Sequence, residues 1–117
     1  MIKKPKKTYQ FGIAAERLVI WFLRLKGYSI LSWRYKTYFG EIDLIAKKGK
    51  TIIFIEVKAR KSSELIEIVL RPKQVERIKK AAEFFIAKNP KFHNYDCRFD
   101  FEQVDKFFIP KHHKNFW

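Results

Sequence analysis

Gly40-Glu41-Ile42-Asp43-Leu44-Ile45-Ala46-Lys47-Lys48-Gly49-Lys50-Thr51-Ile52-Ile53-Phe54-Ile55-Glu56-Val57-Lys58-Ala59 is the stretch that decides the fold. Two apolar runs, 40–46 and 51–59, flank a polar turn at 47–50 that contains a glycine, which predicts an antiparallel hairpin. Residues 52–55 are apolar on both faces, the pattern of a central strand covered from two sides.

Working outward from the hairpin, apolar residues Phe11, Ala15, Leu18, Phe22 and Leu25 recur at helical intervals, predicting a helix over 9–26 that stops at Gly27. Val19, Ile20, Trp21 and Leu23 widen its apolar face. A short strand is expected over 28–33. Pro72 opens a second helix with the stripe Val75, Ile78, Ala82 and Phe85, ending near Asn89-Pro90. Residues 95–101 alternate, with Cys97, Phe99 and Phe101 on one face and Arg98 and Asp100 on the other, and Cys97 is expected to be a buried small hydrophobe. A further strand over 104–109 would close the chain. Residues 65–70 read equally as a strand or an apolar loop. The order α-β-β-β-α-β predicts an α/β (α+β) domain with a mixed β-sheet flanked by helices. Its expected bounds are 9–109, between a flexible basic arm at 1–8 and a basic, aromatic tail at 110–117 in which His112 and His113 read as idle.

The chain has 117 residues, room for one modest core. Its 26 Lys and Arg against 12 Asp and Glu leave a formal charge of +14, for which a polyanion such as nucleic acid is the natural partner. No apolar run nears the roughly 20 residues of a membrane span, so no membrane partner is expected. The lone Cys97 excludes an internal disulfide, and a cytoplasmic setting is expected. Only four acids, Glu16, Glu41, Asp43 and Glu56, lie within residues 1–58, where phosphate contacts would gain nothing from them.

Glu56 and Lys58 share a strand face with Ile52 and Phe54, and the hairpin brings Asp43 within cross-strand reach. Two carboxylates on adjacent strands suit magnesium or manganese, and a neighbouring lysine suits phosphodiester hydrolysis. A Glu56–Lys58 surface pair with an unrelated Asp43 reads the same residues without chemistry. Arg60, Arg71, Lys73 and Arg77 are candidate phosphate contacts.

Asp43, then twelve residues, then Glu56-Val57-Lys58 resembles the D-(x)n-E-x-K core of PD-(D/E)xK nucleases. More specifically, residues 40–46, 54–60, Lys73-Gln74 and Cys97-Arg98-Phe99-Asp100 resemble the bacterial YraN family, an endonuclease-like family similar to archaeal Holliday-junction resolvases. The resemblance implies a restriction-endonuclease-like core, a magnesium- or manganese-dependent endonuclease acting on DNA, branched DNA included, and a homodimer. It implies that Glu16, in Gly12-Ile13-Ala14-Ala15-Glu16, joins Asp43 and Glu56 as a metal ligand, with Lys58 and Gln74 assisting catalysis. Glu41, which shares a face with Asp43, reads as a supporting partner or a further ligand. A binding module of nuclease fold without turnover, acting in DNA or RNA processing, and a basic adaptor for acidic proteins or membrane surfaces remain alternatives.

Overall fold

In a computed structural model, which describes residues 6–59 and 71–115, the hairpin forms the centre of one sheet. Strands β2 (Glu41–Lys48) and β3 (Thr51–Ala59) pair antiparallel from Lys48↔Thr51 to Leu44↔Ile55. Their turn is Gly49-Lys50, with Gly49 at φ +59°, where a side chain would be strained. Strand β1 (Ser29–Lys36) pairs antiparallel with the outer side of β2, with a register irregularity between Ile30 and Ser32. Strand β4 (Asp96–Val104) runs parallel to β3, from Thr51↔Asp96 to Ala59↔Val104. Parallel neighbours require a crossover, and the described part of this one contains helix α2 (Pro72–Lys88) and a short 3-10 turn at Pro90–Phe92. Strand β5 (Pro110–His113) adds antiparallel to β4, giving the order β1-β2-β3-β4-β5.

The sheet is covered on both faces. Helix α1 (Lys6–Leu25) lays Ala15, Val19, Ile20 and Leu23 on Leu44, Ala46, Ile53 and Ile55. On the opposite face, α2 lays Ile78, Ala81, Ala82 and Phe85 on Ile42, Ile45, Ile52 and Phe54. Residues 52–55 are buried throughout, as expected of a strand enclosed on both sides. This is the mixed α+β architecture that the element order predicts.

Four local expectations are corrected. Helix α1 begins at Lys6, so the segment read as an arm contributes its last three residues to the helix. Its buried stripe is rotated from the expected one: Phe22 and Leu25 are exposed, because a helix apolar on nearly every side leaves the choice of face to the sheet. Cys97 is exposed: it lies at the start of β4, where it borders a groove shared with Lys79, Ala82, Glu83 and Ile86 of α2 instead of being sealed beneath the helix. The strand expected over 104–109 is divided. β4 ends at Val104, a turn follows, and part of the supposed tail becomes β5. Residues 1–5, Arg60, the 65–70 segment, Phe116 and Trp117 lie outside the described residues. Among the described residues, no helix is long and apolar enough to cross a membrane.

Candidate active site

The β2–β3 ladder stops at Leu44↔Ile55, and Asp43 occupies the next position on β2. There a carboxylate replaces the missing backbone rung: Val57 N–H donates to Asp43 Oδ2 at 2.9 Å. Glu56 lies between these elements on the face of Ile52 and Phe54, 8% exposed. Gln74, in the first turn of α2, donates from Nε2 to Glu56 Oε2 at 3.1 Å. Burial, followed by the hydrogen bond and negative charge of Asp43, pushes the Glu56 carboxyl up to about 9, against the opposing pull of Lys58 and Gln74. Asp43 and Glu56 thus interact as a carboxyl–carboxylate pair, with Lys58 close enough for its charge to act on Glu56. Strand alternation turns Lys58, half-buried, to the same face as Glu56.

Asp43, Glu56, Lys58 and Gln74 therefore form one constellation. Glu16 is held in a different way. Arg34 donates from Nε to its Oε1 at 3.1 Å and from Nη2 to its Oε2 at 3.2 Å, while Trp33 Nε1 donates to Oε1 at 2.7 Å. The Glu16 carboxylate holds the Arg34 guanidinium still more firmly protonated. Consecutive strand residues normally point to opposite faces, yet Trp33 and Arg34 reach the same carboxylate. Arg34 has φ +56°, and this left-handed backbone breaks the alternation. The register pairs Trp33 with Leu44 and Tyr35 with Ile42, so Arg34 lies across from Asp43.

Glu41 is exposed at the start of β2. Arg71, Lys73 and Arg77 are exposed on and just before the first turns of α2, the end that carries Gln74. Gly40, at φ +156°, lets the chain enter β2 closely past Arg77, whose Cβ would lie 3.3 Å from a Cβ added at Gly40.

Two oxygen donors from adjacent strands are the donor set of a hard divalent cation that keeps several waters. Asp43 and Glu56 supply that donor set, so the residues fit magnesium or manganese. Among the described residues, no three His, Cys, Asp or Glu side chains converge as a ready-made cage.

A second polar cluster escaped the sequence reading. Asp100, fully buried, accepts Arg98 Nε and Nη2 at 2.8 Å each and the Asn115 N–H at 3.0 Å, and lies 2.7 Å from His112 Nε2. Arg98 Nη2 also donates to the Tyr28 hydroxyl at 2.9 Å, and His112 Nδ1 lies 3.1 Å from Glu102 Oε1. The Arg98–Asp100 pairing was legible from their shared face. The part played by His112 had no local signal, since only Asp100 and Glu102 stand two apart and His112 follows ten residues later on another strand.

Fold and site first define a class: a mixed α+β domain whose central hairpin carries two acids and a lysine toward the opening turn of a crossover helix. Within that class, the chain belongs to the uncharacterised protein family UPF0102, whose model matches residues 15–104. That span holds Glu16, Asp43, Glu56, Lys58 and Gln74 and stops before β5. The UPF0102 protein of Rhodopseudomonas palustris (strain BisB5) is 43% identical over 105 residues, covering 90% of this chain and 80% of that protein. The one from Ehrlichia chaffeensis (strain Arkansas) is 48% identical over 101 residues, 81% of each chain. The one from Bartonella bacilliformis is 35% identical over 115 residues, 98% of this chain and 94% of that protein.

Proposed function

We propose that this protein is a metal-dependent endonuclease that hydrolyses phosphodiester bonds in DNA, branched DNA included. The observation that carries the reading is the convergence of Asp43, Glu56 and Lys58 where β2 leaves β3, with Gln74 on Glu56. A surface ion pair would need neither the Asp43 carboxylate in place of a backbone rung nor a buried Glu56.

Asp43 and Glu56 would hold magnesium or manganese, which supplies charge neutralisation at the phosphate and a more acidic water. The Val57 N–H keeps Asp43 in place, and the Gln74 amide orients Glu56. Lys58 positions the attacking water and offsets charge that builds on the phosphate oxygens. The water oxygen bonds to phosphorus, one ester P–O bond breaks, and the departing oxygen takes up a proton. Arg71, Lys73 and Arg77 border the Gln74 end of α2 and would grip the backbone without reading bases. Glu16, its oxygens occupied by Arg34 and Trp33, is assigned to holding Arg34 opposite Asp43 rather than to direct ligation.

The test uses labelled linear, nicked, flapped and four-way DNA with magnesium, manganese or chelator, with folded Asp43→Ala protein alongside. Metal-dependent cutting that disappears in the variant supports the nuclease. Salt-sensitive binding without cutting in any metal supports the binding module instead. Six to ten phosphate contacts would weaken binding about 10³–10⁵-fold between roughly 50 and 200 mM salt. A flat salt response would overturn both readings.

A further inference from the structure

The Glu16–Arg34 fork does more than join α1 to β1, because it holds two aromatic rings at the surface. Trp33 is 39% exposed although Glu16 Oε1 fixes its indole N–H at 2.7 Å. The guanidinium carbons of Arg17 and Arg34 lie 5.8 and 5.7 Å from its ring centroid. Tyr9 is 52% exposed, its hydroxyl accepts Arg34 Nη1 at 3.3 Å, and its ring centroid lies 5.6 Å from the Arg34 guanidinium carbon. Arg17 is exposed, and no acidic side chain among the described residues forms an ion pair with it.

Trp33 is pinned at the surface by a hydrogen bond to the carboxylate that Arg34 also grips, and Arg34 adopts left-handed backbone at φ +56°. Such a conformation costs about 1–3 kcal/mol and persists where its surroundings over-determine it. Here it turns Trp33 and Arg34 to one side, one strand away from Asp43. Pre-oriented rings lose little freedom on binding, every base has a π-face to stack on them, and flanking guanidinium groups attract the phosphates between bases.

We propose that Trp33 and Tyr9, with Arg17 and Arg34, form a stacking platform for unpaired bases of DNA, delivering a single-stranded stretch beside a paired segment to the Asp43–Glu56 site. The proposal rests on the nucleic-acid reading above and names which feature of the DNA the site would prefer.

The test measures affinity, in chelator so that nothing is cut, for a fully paired duplex and for one of equal length with a short unpaired stretch. A third DNA carries abasic residues in that stretch. The expected result is tighter binding to unpaired bases, lost with the abasic DNA. Trp33→Leu should lower affinity for the unpaired stretch about 5- to 150-fold, with the paired duplex unchanged, whereas Trp33→Phe keeps most of it. A 2-aminopurine in the unpaired stretch should be quenched by the wild-type protein and not by Trp33→Leu. Equal binding to unpaired and abasic DNA by the wild-type protein would overturn the platform even if Trp33→Leu failed to fold. So would an equal loss on all three DNAs in a folded variant. Cutting by the wild-type protein without base preference would sink the platform and leave the nuclease standing. Base preference without cutting in any metal would do the reverse.

Discussion

Asp43 Oδ2 accepts the Val57 N–H at 2.9 Å, so a side chain completes the β2–β3 ladder one position past its last backbone pair. The same contact fixes the carboxylate against the strand that carries Glu56 and Lys58. The ladder contact and the proposed metal role therefore fall on one carboxylate, and substitutions at position 43 can separate them.

Asp43→Asn retains an oxygen that can accept the Val57 N–H, whereas Asp43→Ala leaves that half-buried donor unsatisfied. The alanine variant should lose about 1–3 kcal/mol of stability, or several degrees in Tm, and the asparagine variant less. Both should lose metal-dependent cleavage. Thermal melts beside cleavage assays check this, and cleavage retained by the asparagine variant would remove Asp43 from the metal site.

The central hairpin was legible because apolar runs and a glycine turn are local signals, and the spacing from Asp43 to Glu56 placed the pair at one level. Their exact relationship was not legible, because strand alternation says nothing about where a ladder ends. The α1 stripe was misplaced, since Phe22 and Leu25 are as apolar as Val19 and Leu23 and only the sheet decides between them. Arg34 gave no signal at all: left-handed backbone at an arginine follows from what its neighbours bind, not from its own preference. β5 was hidden because Pro110-Lys111-His112-His113 is four residues long and carries no apolar alternation, so only its pairing with β4 reveals it as a strand.

Gln74 donates to Glu56 Oε2 from the first turn of α2, and in the proposed site it would orient Glu56 without touching metal or phosphate. Removing such a supporting contact typically costs 10- to 100-fold in metal affinity or activity. Gln74→Ala should show a loss of about that size, with a Tm close to wild type because residue 74 is only half-buried and follows the exposed Pro72 and Lys73 at the start of α2. Titrating cleavage against magnesium checks this: a higher metal requirement with recovery at saturation marks orientation of Glu56, and no change at any concentration rejects the role.

Gly40 sets how closely the start of β2 approaches α2. A side chain at φ +156° is strained, and its Cβ would press on Arg77 Cβ at 3.3 Å. Gly40→Ala should destabilise the fold by about 1–3 kcal/mol and reduce cleavage by shifting the strand that carries Asp43. Urea unfolding measures the first effect. A neutral substitution would mean that β2 can retreat from α2 without consequence.

Asp100 and Glu102 lie two residues apart on β4 in opposite electrostatic situations. Burial would raise the Asp100 carboxyl, but hydrogen bonds from His112, Arg98 and the Asn115 N–H outweigh it and hold the group below its ordinary 3.8. A carboxyl that is more acidic when folded stabilises the protein above its unfolded pKa, and that contribution is lost as pH falls through the folded value. Glu102 is shifted upward, chiefly by burial, and its Oε2 has no hydrogen-bond partner among the described residues. Its contribution has the opposite sign: stability declines as pH rises above its unfolded 4.5 toward the folded value. At pH 7, Asp100→Asn should therefore cost about 3–5 kcal/mol by stranding Arg98 and His112, while Glu102→Gln should cost far less or stabilise. Urea unfolding between pH 3 and pH 8 distinguishes the two, since Asp100→Asn should also flatten the acid limb below about pH 4. Equal penalties from the two substitutions would mean that β5 is held by packing, and that the His112 contacts add little.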